Sequence, residues 1–226
     1  MRKKPFVNGE FYHIYNRGVD KRITFKDRQD IERFLQSIEE FNTTKPIGSI
    51  YENSFKINRT QLGGPTPKLG KLVEFVSYCI NPNHYHFIVT QKKDGGISEF
   101  MKRLSGGYTS YFNNRHKRSG VLFQGKFKSV HINTNEYLLH LSAYVNLNNR
   151  VHQLGGRTTK LVRSSWDEYI GKGSSKEGIF CKKDIILDQF KTPVEYRRFA
   201  ESSLNDILKR RYQEDEITKH LTIEKL

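Results

Sequence analysis

Long apolar runs are missing from this 226-residue sequence. No stretch approaches the roughly 18 consecutive apolar residues of a membrane span. The basic start, MRKKPFVNGEFYHIYNRG, is not followed by the apolar segment of a secretory signal. Cysteine is scarce as well: Cys79 and Cys181 lie far apart and match no metal-ligand spacing. They read as two free thiols in a reducing compartment. The expected location is therefore cytoplasmic, a bacterial cytosol or nucleoid, with no membrane partner. Acidic residues are few beside basic ones, 24 against 39, for a formal charge of +15. Such an excess favours a polyanionic partner, nucleic acid above all, over a small-molecule substrate. Aromatic residues at 12% within a hydrophobic fraction of 35% are enough for a core of ordinary density.

Along the chain, EFYHIYNRG reads as a first strand ended by Gly18. DRQDIERFLQSIEEF follows with Ile31, Phe34, Leu35, Ile38 and Phe41 at helical spacing, capped at or near Asp27. Residues 43–70, polar and rich in Gly, Pro, Thr and Asn, read as a loop. KLVEFVSYCI and HYHFIVTQ read as a hairpin turned by NPN. A second helix carries Ile97, Phe100, Met101, Leu104, Tyr108, Tyr111 and Phe112. Its Gly106-Gly107 pair predicts a kink or a close backbone approach, since each glycine costs about 1 kcal/mol relative to alanine. KSVHIN is a fourth strand, and Thr134 caps a third helix, NEYLLHLSAYVNLNNR. The order β-α-β-β-α-β-α predicts an α+β fold: a ferredoxin-like split βαβ antiparallel sheet with helices on one face. Residues 1–154 form this unit in the reading. Residues 155–226 form a basic, mostly helical C-terminal extension, in which TPVE, Thr192 to Glu195, is a capping box with proline at the first helical position.

NPNHYHFIV raises the question of chemistry. Residues i and i+2 of a strand share a face, so His84 and His86 stand side by side, with parallel rings expected. Taken alone, such a pair is ordinary. The third helix adds a stripe of Tyr137, Leu141, Tyr144 and Asn148 at fourfold spacing, which either packs or delivers a phenol and an amide oxygen to a site.

Three stretches, YCINPNHYHFIV, SGVLFQGKFKSVHI and EYLLHLSAYVNLN, stand in an order and spacing that resemble the single-tyrosine HUH transposases, specifically the REP-associated tyrosine transposase group. The likeness spans roughly residues 8–152, and SSWDEYIG resembles the tail common in that group. The resemblance implies that Tyr144 is a nucleophile and that His84, His86 and Asn148 hold a divalent metal. Asn149 stands where the family usually has proline, which predicts that the helix runs on past Asn148. Two imidazoles and one amide oxygen suit Mg²⁺ or Mn²⁺, and Zn²⁺, which affinity also allows, is not required. The implied partner is single-stranded DNA or a DNA hairpin, and the implied reaction is cutting and rejoining through a phosphotyrosine.

The positive charge then has a use. Lys102, Arg103, Arg115, Lys117 and Arg118 lie on or just after the second helix, and Lys126 and Lys128 flank Gly125. They are candidates for phosphate contacts, with Tyr111 and Phe123 as stacking candidates for unpaired bases. The competing reading is a non-catalytic DNA-binding protein of the same fold, a domesticated transposase acting as a repressor or structural factor. Retention of all four chemical groups argues against it. Monomer and homodimer both remain open.

Overall fold

A computed structural model describes residues 5–52, 70–152, 156–172 and 181–223, so the expected loop over 43–70 lies in large part outside the described residues. Five strands form one antiparallel sheet in the order β4-β1-β3-β2-β5. They are β1 (Phe11–Arg17), β2 (Val73–Asn81), β3 (His84–Gln91), β4 (Lys128–Ile132) and β5 (Arg163–Ser164). The first four strands, with α1 (Arg28–Phe41) between β1 and β2 and α2 (Gly96–Arg115) between β3 and β4, make the expected split βαβ unit. The fifth strand was not anticipated. It is two residues long and pairs Ser164 with Cys79 on the β2 edge.

Alternation along β3 explains both faces of the sheet. Tyr85, Phe87 and Val89 point to one side, where they meet Ile31, Phe34 and Ile38 of α1 and Ile97, Phe100 and Leu104 of α2. Ile88 points to the other side, as do His84 and His86 by their place in the same register. There it meets a second core, built from Leu138, Leu141 and Val145 of α3 (Asn135–Asn146) and Val151 of α4 (Asn148–Val151). Helices are therefore on one face only within the split βαβ unit; α3 and the later helices cover the opposite face. Three further helices complete that core: Tyr169 of α5 (Trp166–Tyr169), Ile186 of α6 (Asp184–Leu187), and Tyr196 and Ala200 of α7 (Pro193–Ile223). Full burial of each large apolar side chain stabilises the fold by about 1.5–3 kcal/mol, so α3 is held on the histidine face by its own stripe.

Local signals set the element boundaries. Asp27 accepts from the Asp30 backbone N–H at the start of α1, at 3.1 Å. Thr134 does the same for Tyr137 at the start of α3, at 3.2 Å, and Thr192 for Glu195 at the start of α7, at 3.2 Å. The turn between β2 and β3 is two residues long, because Asn81 pairs with His84. It is tied down from outside: the Pro82 carbonyl accepts from the backbone N–H groups of Thr24 and Phe25 at 2.8 and 3.0 Å. The glycine pair does not break α2. A Cβ on Gly107 would lie 2.5 Å from the Phe41 ring, so the pair marks a close approach of α1 rather than a kink.

Candidate active site

The two histidines share a face but not an orientation. Their ring centroids are 5.3 Å apart and their planes are nearly perpendicular, at 89°, where parallel rings were expected. Each ring has a different anchor. Asn83 donates through Nδ2 to the Lys21 carbonyl at 3.1 Å, which turns its Oδ1 toward His84. His84 Nδ1 therefore carries the proton and donates it to Asn83 Oδ1 at 2.6 Å. This leaves a lone pair on His84 Nε2, 2.9 Å from Asn148 Oδ1. Between these two acceptors sits the Asn81 amide, with Nδ2 at 2.8 Å from the nitrogen and 2.7 Å from the oxygen.

His86 is anchored by a residue that the sequence reading missed. His13 of β1 lies 2.8 Å away, Nε2 to Nδ1. Burial lowers the His13 pKa to about 4, so that ring is neutral. A single proton lies between the two facing nitrogens. With the proton on His86 Nδ1, His86 Nε2 presents a lone pair to the cavity. That is the arrangement in which a ligating histidine donates its other N–H to a partner. Tyr15, two residues along the same strand, stacks on His86 with centroids 5.5 Å apart. Cys79, opposite His86 in the sheet, is fully buried, and burial pushes its thiol up to about 12.

Tyr144 reaches this site from α3. Its ring stands edge-on to His86, with centroids 5.5 Å apart, and it is half-buried. Asn148 follows on α4 and is fully buried. The helix does not run straight through: α3 ends at Asn146, and Leu147 forms the joint before α4 resumes. The interruption arises even without the proline. Hydrogen bonding nevertheless carries on with helical spacing, from the Leu147 N–H to Ala143 and from His152 to Asn148. His152 is thereby brought to the same cavity, of about 560 Å³, which His84, His86, Tyr144, Arg17, Lys21 and Lys128 also line. Nitrogens of His84, His86 and His152 lie within 4.8 Å of one another, a cluster able to hold a metal ion. The signal for His152 was present in the sequence: it continues the Tyr144, Asn148 spacing by one further turn.

The residues expected to meet DNA are scattered. Lys128 lines the cavity, and Lys102, Lys117 and Lys126 are exposed elsewhere. Arg103 donates to Glu99 at 2.8 Å and to the Thr43 carbonyl at 2.6 Å. Arg115 bridges Asp27 and fully buried Asp30, at 2.8 and 2.6 Å. Its guanidinium holds the Asp27 carboxyl below the usual carboxylate range. Arg118 binds Asn113 and the Val121 carbonyl, Phe123 belongs to the core, and Tyr111 is partly buried under Arg33. Tyr137, the other tyrosine on the α3 stripe, sits at the first turn, 37% exposed. Its hydroxyl is raised above the ordinary tyrosine range by burial and by neighbouring Tyr15 and Tyr144.

Residues 69–149 match the family model described as Transposase IS200 like. The matched segment carries His84, His86, Tyr144 and Asn148, and stops short of His13 and His152. It agrees with the resemblance read from the three sequence motifs and supports a transposase. No curated protein matches the chain. Among solved structures, the chain is similar to one described as "Structure of the REP associates tyrosine transposase bound to a REP hairpin". The identity there is 13%, over 80% of this chain and 97% of that chain, with a TM-score of 0.46. No helix among the described residues is long and apolar enough to cross a membrane.

Proposed function

We propose, from the IS200-like family match and the site geometry, that this protein is a DNA strand-transferase. It cuts and rejoins single-stranded DNA, beside a hairpin, through a covalent link between Tyr144 and a phosphate. The observation that carries the reading is Tyr144 standing 5.5 Å from His86, on the face where His84 Nε2 and Asn148 Oδ1 lie 2.9 Å apart. A packing tyrosine has no need of an imidazole nitrogen and an amide oxygen brought together beside it.

The donor set fits a divalent cation, Mg²⁺ or Mn²⁺, with His84, His86 and Asn148 as its holders. Such an ion, when bound, withdraws charge from a non-bridging phosphate oxygen and orients the phosphate for in-line attack. The imidazoles and the amide oxygen bring no negative charge, so they leave the ion's charge to act on the substrate. Tyr144 Oη gives up its proton and forms a bond to phosphorus, while the bond to the 3′ oxygen breaks and that oxygen takes up a proton. The phosphotyrosine keeps the energy of the broken bond. A 3′-hydroxyl can then attack the same phosphorus, break the bond to Tyr144 and restore the phenol, with no nucleotide triphosphate consumed.

Arg17, Lys21 and Lys128 at the cavity, and exposed Lys102, Lys117 and Lys126, supply phosphate contacts that position the strand without reading its sequence. The test is incubation of the protein with single-stranded hairpin DNA and Mn²⁺, followed by denaturing electrophoresis. A denaturation-resistant adduct, mapped to Tyr144 by peptide mass spectrometry, is expected. Binding without any adduct, across the divalent ions, would favour the non-catalytic DNA-binding reading instead.

A further inference from the structure

The site has a group that neither the family segment nor the three motifs account for. His152 lies beyond residue 149, where the family match ends. It follows α4, and its backbone N–H donates to the Asn148 carbonyl at 3.1 Å, which continues the helical path by one turn. Residues four apart on such a path share a face, so Tyr144, Asn148 and His152 all turn toward the sheet histidines. The His152 ring centroid lies 4.7 Å from that of His84, with the planes at 71°. Ligands held about 2.1 Å from an ion lie roughly 3–4 Å from one another. The three imidazole nitrogens lie within 4.8 Å of one another, so small ring rotations bring them to that spacing. His152 lines the cavity and is exposed, whereas Asn148 is fully buried beside His84 and already accepts from Asn81 at 2.7 Å.

We infer that His152 is a metal ligand, supplying a third imidazole to the ion held by His84 and His86. This rests on the metal centre of the function proposed above and changes its character. Three imidazoles make a nitrogen-dominated set. Magnesium prefers oxygen donors, whereas cobalt, zinc and, more weakly, manganese accept imidazole readily. With His152 added, the set favours Mn²⁺ or another first-row transition metal among the ions the His84, His86 and Asn148 donors fit. His152 would add its imidazole from the exposed side, with the Asn148 amide oxygen beside His84 as a further donor.

The test uses the full chain and Co²⁺, whose visible absorption reports its ligands. His152→Ala should weaken Co²⁺ binding by about tenfold or more, the scale on which loss of even a supporting partner acts. His131→Ala removes an exposed histidine on β4, paired with Glu10 at 2.9 Å, and should leave binding unchanged. His152→Cys should restore binding and add a thiolate-to-cobalt band in the near ultraviolet, which arises only if the side chain at this position touches the ion. Unchanged affinity in His152→Ala, or a His152→Cys variant that binds Co²⁺ with no thiolate band, overturns the inference. Adduct formation separates it from the wider reading. A Tyr144 adduct alongside indifferent His152 variants sinks the third ligand alone. A thiolate band without any adduct keeps the ligand and sinks the strand-transfer reaction.

Discussion

Of the two adjacent glycines of α2, Gly106 should gain stability from alanine and Gly107 should not. Both have ordinary helical backbones, so alanine at either stabilises the helix by about 1 kcal/mol through propensity. At Gly106 nothing lies within 4 Å of the added Cβ, and that gain stands undiminished. At Gly107 the Cβ would fall 2.5 Å from Cε2 and 2.7 Å from Cζ of Phe41. Phe41 cannot swing away freely, because it is buried against Ile47 and Ile50. Overpacking of this kind costs about 1–3 kcal/mol. Gly107→Ala should therefore come out between roughly neutral and about 2 kcal/mol destabilised, once the propensity gain is subtracted. The two variants should differ by about 1–3 kcal/mol, or roughly 2–12 °C in Tm for a chain of this size. Urea unfolding followed by circular dichroism measures the gap. Phe41→Leu in the Gly107→Ala background should close much of it by removing the opposing ring. Equal stabilisation by both alanines would refute the claim that α1 and α2 approach through Gly107.

The remaining expectations concern the site and its charges. Tyr144→Phe should lose the covalent adduct completely while still binding DNA. Tyr137→Phe should form it at a rate reduced by less than about tenfold, or ~1.4 kcal/mol of barrier; a nucleotide mapped to Tyr137 reverses the assignment. His84→Ala and His86→Ala should abolish cleavage yet keep most single-strand affinity, since affinity comes mainly from phosphate neutralisation; cleavage surviving in chelator-treated buffer contradicts the metal role. His13→Leu removes the partner of His86 Nδ1 and should weaken Mn²⁺ binding by about 10–100-fold, as titration calorimetry would record. Arg115→Ala leaves the buried Asp30 carboxyl without the guanidinium 2.6 Å from it, so it should lower the unfolding midpoint more than it lowers single-strand affinity. The opposite ranking would return Arg115 to the DNA-contacting set.

Local chemistry made much of this protein readable before any coordinates. The caps at Asp27, Thr134 and Thr192 act within three residues of themselves. The alternation of β3 and the apolar stripes of α1 and α2 follow from periodicity, and with the NPN turn they imply the split βαβ order. The placing of His84 with His86, and of Tyr144 with Asn148, is also a matter of two- and fourfold spacing. What spacing cannot express is which face each stripe meets. Only the packed sheet decided that α3 lies opposite α1 and α2, so that its tyrosine and the strand histidines share a cavity. Only strand pairing brought His13 to His86 across 73 residues of chain. The same holds for charge: the sequence shows Arg115 only as a basic residue on α2, and the fold alone sets Asp27, 88 residues away, beside its guanidinium. A side chain's type is written in the sequence, but its partner is chosen by burial, because a buried polar group must be paired with whatever the tertiary fold brings within reach.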